Sequence, residues 1–321
     1  MKTKKMVFIR KGLIFRVSPD CDWRQSHAQI PFAWPADDGK VRFYFSTRDI
    51  NNRSTMTFIE TEAERPKDIV YVHNKQCINL GRLGMFDDCG VMASWLIRHD
   101  DKIYLYYSGW NLGGTVAYRI GIGLAISYDN GITFERYGQA PILDRSTFDP
   151  SWCAQPCIMK QGDRWKMWYL SCTKWEMIDN HPEPFYNVKY AESNDGIKWN
   201  RTGETCLDYD DFTNAIGRPA VFFEDGIYKM YYSYRSASRY RSDPSRSYRL
   251  GYAVSRDGRR FERRNDLFEI VGPRGEWESI MNEYCHLYKH GGKKYLIYNG
   301  NGFGESGFGF AVSDSTERSH S

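Results

Sequence analysis

Short apolar runs alternate with polar turns along the whole chain, and one such unit recurs five times. Each unit has an apolar strand, a turn containing Asp or Gly, and an aromatic-rich strand. Equivalent apolar positions in the aromatic-rich strands are 62, 62, 63 and 66 residues apart, at Phe43, Leu105, Met167, Met230 and Leu296. A period held over a whole chain is typical of repeat architectures, which include β-propellers.

A third strand follows in phase with this repeat. Three of the third strands run into turns of the form Ser-x-Asp-Gly or Ser-x-Asp-Asn-Gly, which begin at Ser127, Ser193 and Ser255. Asp-Gly and Asn-Gly are favoured hairpin turns because Gly tolerates a positive φ. We interpret these turns as structural and as leading into a fourth, outermost strand.

The predicted fold is therefore all-β: a single five-bladed β-propeller of four-stranded blades that spans residues 1–321. The last unit ends soon after its third strand. We expect the N-terminal segment, residues 6–16, to supply the missing outer strand and close the ring. A short frayed tail is expected at Thr316–Ser321.

Composition agrees with this fold and narrows the function. The chain has 28 Gly, 23 Tyr and 10 Trp, as expected for strands and turns. No segment has the length and apolarity of a signal peptide or a membrane span, which predicts a cytoplasmic protein. The eight Cys include no CxxC motif, which favours free thiols in a reducing compartment. A net charge of +4 and the lack of a nucleic-acid-binding motif argue against nucleic acid as a partner. No compact ligand motif predicts a metal or a cofactor.

The first strand of each propeller blade lines the central channel. Because neighbouring strands are antiparallel, the start of this strand lies on the same face as the loop between strands two and three. Polar side chains occur near this start in every unit. They are His27 and Gln29; Asp87 and Asp88; Gln155; Arg218; and Asn282, Glu283 and His286. A ring of converging polar groups predicts a small-molecule site at the channel mouth.

The loops on the same face favour a sugar ligand. Trp110 and Trp175 offer aromatic surfaces beside amide and carboxylate groups, which suit the apolar face and hydroxyl edge of a sugar. The fourth-unit loop contains four Arg and one Asp, at Arg235, Arg239, Arg241, Arg246 and Asp243. Arg is suited to binding carboxylate or phosphate, so this loop suggests an anionic ligand. A solvated basic loop is the alternative.

The five-fold pattern, the Ser-x-Asp-Gly-x-x-aromatic turns and the Pro residues near strand starts resemble the five-bladed propeller glycosidases. These include glycoside hydrolase families 43, 32 and 130. The resemblance implies a carbohydrate-active enzyme with carboxylates on three blades. At the matching places this chain has His27 and Gln29, Gln155 before Pro156, and Arg218 before Pro219. The carboxylate triad of those families is therefore not in place.

Glycoside cleavage usually needs a carboxylic acid to protonate the leaving oxygen and a carboxylate as base or nucleophile. The hypothesis for this chain assigns Glu283 as the acid and Asp88 as the base or nucleophile. Asp149 is a further candidate for either role. The predicted substrate-binding residues are His27, Gln29, Asp87, Gln155, Arg218, Trp110, Trp175, Arg235 and His286.

Three functions stay open at this point. The first is a glycoside-acting enzyme, in particular a hydrolase of a small or anionic glycan. The second is a glycosyl-transferring enzyme that uses phosphate or a nucleotide sugar, which the Arg-rich loop favours. The third is a non-catalytic carbohydrate-binding propeller, which the missing triad favours.

Overall fold

The computed structural model describes residues 5–314, so the predicted tail Thr316–Ser321 lies outside the described residues. Within that range the regular structure is almost entirely β-strand, which confirms the all-β prediction. The exceptions are two 3-10 turns (Asn265–Leu267 and Glu276–Glu278) and the short helix α1 (Asn301–Gly304). The strands in chain order are β1 (Met6–Phe15), β2 (Ser26–Pro35), β3 (Lys40–Arg48), β4 (Ser54–Glu62), β5 (Ile69–Val72), β6 (Gly90–His99), β7 (Lys102–Leu112), β8 (Tyr118–Ser127), β9 (Glu135–Arg136), β10 (Cys153–Gln161), β11 (Arg164–Ile178), β12 (His181–Ser193), β13 (Asn200–Leu207), β14 (Ala215–Glu224), β15 (Ile227–Arg235), β16 (Arg249–Ser255), β17 (Glu262–Arg263), β18 (Phe268–Val271), β19 (Glu283–His290), β20 (Lys293–Asn299) and β21 (Phe308–Asp314).

Antiparallel pairing joins these strands into consecutive sets. Set 1 is β2 to β5, set 2 is β6 to β9, set 3 is β10 to β13 and set 4 is β14 to β17. Set 5 is β19 to β21, and β1 pairs antiparallel with β21, with Ile9 opposite Val312. Single parallel bridges join sets 1 and 2 at Ser54 and Gly90, and sets 3 and 4 at Tyr186 and Ala215.

The first strands of the sets contact one another in order. β2 contacts β6, β6 contacts β10, β10 contacts β14, β14 contacts β19, and β19 contacts β2. Each first strand contains a shift in its pairing register, which marks a β-bulge. Four of these bulges hold a non-Gly residue at positive φ, namely Ile30, Gln155, Arg218 and Tyr284. Bulges re-aim side chains, and here they do so at the inner strands.

A side chain from the preceding set binds the backbone amide at each bulge. The acceptors are Ser46 for the Ala93 amide (3.2 Å), Ser108 for Gln155 (2.8 Å), Ser233 for Tyr284 (2.8 Å) and Asn299 for Ile30 (3.0 Å). The exception is Ser171, whose buried hydroxyl has no hydrogen-bond partner among the described residues. In its place the Gln155 side chain accepts the Arg218 amide at 2.9 Å. These bonds fix each inner strand against its neighbour.

The Ser-x-Asp-Gly turns have a structural role between sets. The Ser127, Ser193 and Ser255 hydroxyls each accept the amide of the turn glycine. Buried aromatic residues of the preceding set donate to those glycine carbonyls: Tyr44 to Gly131, Tyr106 to Gly196 and Trp168 to Gly258. The aromatic second strands therefore pack the core and bind the next set. All eight Cys lie within residues 5–314, and none of them forms a disulfide.

Candidate active site

Glu283 lies at the start of β19 and is completely buried. Its Oε1 accepts a hydrogen bond from Asn299 Nδ2 at 3.0 Å, whereas its Oε2 has no partner among the described residues. Burial raises the pKa of Glu283 well above its ordinary value, against smaller opposing effects that include Arg235 and Arg48. Burial therefore favours the protonated form of this carboxyl group.

Three tyrosines extend from Glu283 across the mouth. Tyr284 follows Glu283 at the bulge, with φ of 54°, and its hydroxyl interacts with Glu283 and with Tyr248. The Tyr248 hydroxyl also bonds to the Tyr186 hydroxyl and accepts from Arg235 Nε at 3.2 Å. Tyr284 is partly exposed, yet burial raises its pKa well above 10, so its ring lies in a recess. The bulge therefore places two consecutive side chains in one network.

Arg235 was predicted to bind substrate, and the structure brings it next to this network. The guanidinium is buried and stacks over the Tyr240 ring at 3.9 Å. It donates to the carbonyls of Ser236 (2.9 Å) and Pro184 (3.3 Å), and it lies 3.7 Å from Glu183. Glu183 is buried too, and it also pairs with the partly exposed Arg241. Most donors of the Arg235 guanidinium are therefore already bound by protein groups.

Three set 1 side chains approach Glu283 from the opposite side. Arg48 is half-buried, and it donates to Gln29 Oε1 at 3.2 Å and to Asn52 Oδ1 at 2.9 Å. Burial and the charge of Arg48 lower the pKa of His27 to about 3, so this imidazole is neutral. Gln29 and Glu283 occupy the same position, directly before the bulge amide, in sets 1 and 5. Asn299 links this strand to Glu283, because it accepts the amide of Ile30, which follows Gln29, and donates to Glu283 Oε1.

Aromatic side chains form another part of the mouth. Tyr118 packs edge-on against Trp175, with ring centroids 5.3 Å apart, and Trp152 lies 5.1 Å from Tyr186. Trp175 donates its indole N–H to Ser151 at 2.8 Å, and Trp110 donates to Ser54 at 2.8 Å. Trp175 therefore joins the tyrosine network through Tyr118, whereas the indole N–H of Trp110 is bound within the strand pair of sets 1 and 2.

Arg218 and His286 lie inside the ring of first strands. Arg218 is 1% exposed and donates to the carbonyls of Pro31 (2.6 Å), Tyr284 (2.9 Å) and Ser94 (3.2 Å). Burial lowers its pKa to about 10, so it stays a cation. His286 is buried between aromatic rings, 5.0 Å from that of Trp95. Arg218 therefore joins first strands of three sets, and Gln155 binds its amide; roles of these residues in binding substrate stay predictions.

Asp87 and Asp149 belong to a repeated cluster away from Glu283. Each lies six residues before its bulge amide and binds a second-strand Tyr and an outer-strand Arg. Glu278 holds the same position in set 5. The three clusters are Asp87 with Tyr107 and Arg136 (3.0 and 2.7 Å), Asp149 with Tyr169 and Arg201 (3.3 and 2.9 Å), and Glu278 with Tyr298 and Arg10 (3.1 and 3.3 Å). This repetition gives these carboxylates a structural role in each set.

Asp88 lies one residue beyond this cluster and five residues before the bulge amide of Ala93. Its Oδ2 accepts the Gly84 amide at 2.9 Å, and its buried Oδ1 has no hydrogen-bond partner among residues 5–314. Glu283, in contrast, directly precedes its bulge. The predicted acid and base therefore occupy different positions along their strands, and no contact joins them.

Sequence reasoning missed four residues of this site: Arg48, Tyr186, Tyr248 and Tyr284. The sequence contains 23 Tyr, and nothing in its period separates these from core tyrosines. In the described part of the chain no group of three or more His, Cys, Asp or Glu is arranged to hold a metal ion. None of the described helices has the length and apolar character needed to cross a membrane.

A wide groove of about 1860 Å³ lies elsewhere. Its lining includes the turn between β14 and β15 and the turn between β19 and β20. These turns join first to second strands, so they lie on the face opposite the starts of the first strands. Lys229, Lys289 and Lys294 surround Glu224 there and lower the pKa of Glu224 to about 2. The Glu224 carboxylate is thus already bound by three protein cations, which makes it a poorer candidate for a functional acid than Glu283.

Solved structures share this fold at low sequence identity. A glycoside hydrolase has a TM-score of 0.72 at 16% identity, over 99% of this chain and 94% of that chain. A structure from work on GH130 mannoside phosphorylases and hydrolases acting on Candida mannan has a TM-score of 0.67 at 16% identity, over 97% and 95%. A thermostable family-43 glycoside hydrolase has a TM-score of 0.60 at 17% identity, over 94% and 91%. The predicted resemblance in fold to these glycosidases is confirmed.

No protein-family model matches the chain. Two curated relatives match the chain in sequence, namely the uncharacterized proteins MT1551 and Rv1502 from two strains of Mycobacterium tuberculosis. Each is 33% identical over 309 residues, which are 96% of this chain and 99% of the relative. The chain therefore belongs to the family of MT1551 and Rv1502, and it has the fold of glycoside hydrolases.

Proposed function

We propose that residues 1–321 form one five-bladed β-propeller closed by the N-terminal strand. Each set of strands is one blade in this proposal, and β1 is the outer strand of the fifth. The cyclic order of first-strand contacts, from β2 through β19 and back to β2, supports it. The hydrogen bond from the Ile30 amide to Asn299 supports closure, because it links the last blade to the first.

We propose that the protein is a glycoside-acting enzyme, a hydrolase, with its active site at the mouth of the channel. The observation that carries this function is the fully buried Glu283, whose Oε2 has no hydrogen-bond partner among the described residues and whose pKa is raised by burial. A carboxylic acid kept neutral by burial is the group that glycoside cleavage needs to protonate the leaving oxygen. The fold shared with glycoside hydrolases makes this chemistry the best match for such an acid.

The second carboxyl group of the reaction is proposed from the same criterion. Asp88 and Glu183 each retain a buried oxygen without a hydrogen-bond partner among the described residues, as does Glu278, which belongs to the repeated structural cluster. Asp149 does not, because Ser146, Tyr169 and Arg201 engage its oxygens. Asp88 and Glu183 are therefore the two candidates for base or nucleophile, and we expect Asp149 to act structurally.

The test uses aryl glycosides with leaving groups of different acidity. Glu283→Gln should lower kcat/KM about 100- to 10,000-fold for nitrophenyl or alkyl glycosides. It should have little effect on dinitrophenyl glycosides, whose leaving group needs no proton. Glu224→Gln, on the opposite face, is the control and should retain full activity. Equal losses for both kinds of leaving group would remove Glu283 from the role of acid.

Substitution of the second carboxyl distinguishes its two candidates. Either Asp88→Asn or Glu183→Gln should abolish turnover even of dinitrophenyl glycosides, because the base or nucleophile acts on every substrate. Retained turnover in both variants would contradict a two-carboxyl mechanism at this mouth.

A non-catalytic carbohydrate-binding propeller is the second candidate. Gln155 and Arg218, which stand where related enzymes are expected to carry carboxylates, bind backbone groups of the first strands. Sugar binding by calorimetry, without turnover of any glycoside in a broad aryl-glycoside panel, would favour this candidate.

A further inference from the structure

Arg48 is a cation at the mouth that lacks a charged partner. No carboxylate of residues 5–314 lies within 4.0 Å of its guanidinium. It donates hydrogen bonds from Nε to Gln29 and from Nη1 to Asn52, both of which are neutral amides. These bonds orient the guanidinium, and its Nη2 donates no hydrogen bond to the described residues. Arg48 is thus held in place without being neutralised.

The groups around Arg48 do not supply a compensating buried anion. Burial raises the pKa of Glu283 and favours its neutral form, and His27 is a neutral imidazole because burial and the charge of Arg48 lower its pKa to about 3. Burial also keeps the Tyr284 hydroxyl protonated. Glu305 is the remaining acidic neighbour, and it is solvent-exposed, so water screens its attraction to Arg48. Among the described residues, no carboxylate in ion-pair contact therefore balances the charge of Arg48.

The Arg-rich loop of set 4, which suggested an anionic ligand from the sequence, has three of its four Arg in contact with a carboxylate. Arg235 and Arg241 share Glu183, and Arg246 lies 3.7 Å from Asp243. Arg239 is exposed at the surface of the loop. The cation near Glu283 without an ion-pair partner is thus Arg48, the last residue of β3 in set 1.

We propose that Arg48 binds a carboxylate of the ligand, so that the mouth selects a sugar acid over the corresponding neutral sugar. Nη2 and the second N–H of Nη1 can donate to the two oxygens of a carboxylate, a planar ligand to which Arg is suited. Protonated Glu283 and the Tyr284 hydroxyl provide neutral donors nearby. The proposal rests on the mouth being the ligand site of the proposed function, and it requires binding but not turnover.

The experiment measures binding by isothermal titration calorimetry and by thermal shift. The probes are D-glucuronate, D-galacturonate and N-acetylneuraminate, each compared with a neutral sugar (D-glucose, D-galactose or N-acetylmannosamine) and with inorganic phosphate. At least one sugar acid should bind more tightly than its neutral counterpart. Arg48→Gln should weaken that binding about 10- to 100-fold, and Arg48→Lys should restore only part of it.

Arg164→Gln is the matched control. Arg164 is exposed at the start of β11, and it also donates to a neutral amide, Asn194 Oδ1, at 3.2 Å. This variant should bind sugar acids like the unmodified protein. A melting temperature for Arg48→Gln near that of the unmodified protein shows that any loss of binding is local.

Three outcomes would overturn the proposal. One is equal affinity for sugar acids and neutral sugars, and another is unchanged sugar-acid binding by Arg48→Gln. The third is Arg48-dependent binding of phosphate without binding of any sugar acid. Glu283-dependent turnover of neutral glycosides together with the first outcome would reject the sugar acid and keep the proposed hydrolase. Arg48-dependent binding of a sugar acid without any turnover would keep the sugar-acid site and reject the proposed hydrolase.

Discussion

Buried carboxyl groups of this protein occur in two kinds of surroundings. Asp149, in the outer part of set 3, contacts Ser146, Tyr169, Arg201 and, at 3.5 Å, Lys189. Glu283, at the mouth, is equally buried but has one hydrogen bond on Oε1 and none on Oε2. This difference shows that burial alone does not identify a functional acid. Cations balance the charge of Asp149, whereas burial without an ion-pair partner raises the pKa of Glu283 and favours its protonated form.

The largest stability effect should come from breaking the partnered carboxylate. Asp149→Asn leaves the Arg201 and Lys189 charges without their buried partner, which costs about 3–5 kcal/mol for buried pairs. Urea unfolding at pH 8 measures this loss. Glu283→Gln is the control at equal burial, and it should cost less than about 1 kcal/mol, because Gln replaces a neutral acid of similar shape. Equal losses of unfolding free energy in the two variants would contradict the proposed difference between these carboxyl groups.

A smaller effect should appear in the pH dependence of stability. The native state keeps a proton on Glu283 above the pH at which the unfolded chain loses it, near pH 4.3. Stability should therefore fall as pH rises from that value towards the raised native pKa, by up to about 1.4 kcal/mol per pH unit. Unfolding free energies of the native protein and Glu283→Gln, compared from pH 5 to pH 8, measure this slope. If the two proteins change in parallel, Glu283 is ionised in the native state.

The smallest effect compares two serines in the same position of neighbouring sets. Ser108 accepts the Gln155 amide, whereas the Ser171 hydroxyl is buried without a partner in the described structure. Ser108→Ala should cost about 1–3 kcal/mol, because a buried amide loses its acceptor. Ser171→Ala should be neutral or slightly stabilising. Chemical denaturation of both variants gives the comparison, and a larger loss for Ser171→Ala would contradict the assigned ring of hydrogen bonds.

The sequence placed the strands well and the site residues less well. Its 62- to 66-residue period located β3, β7, β11, β15 and β20, because aromatic strands and Asp-Gly turns are local features. The sequence pattern also aligned Asp87 and Asp88 with Gln155, as equivalent positions near the start of a first strand. In the structure the residue that matches Gln155 in set 2 is Ala93, and Asp87 matches Asp149. A bulge shifts the register without any residue type that marks it, so the sequence could not align the inner strands.

By itself the sequence determined the all-β repeat and the turns between its strands, and it identified Glu283 as a candidate acid. These follow from side-chain pattern and local backbone preference. Only the tertiary structure decided which acids are free to act. It surrounded Asp149 with cations, bound Arg218 to three carbonyls, and left Glu283 beside the unpaired Arg48. The physical reason is that a group's protonation and availability depend on partners brought together from distant strands, and strand spacing in the sequence does not encode them.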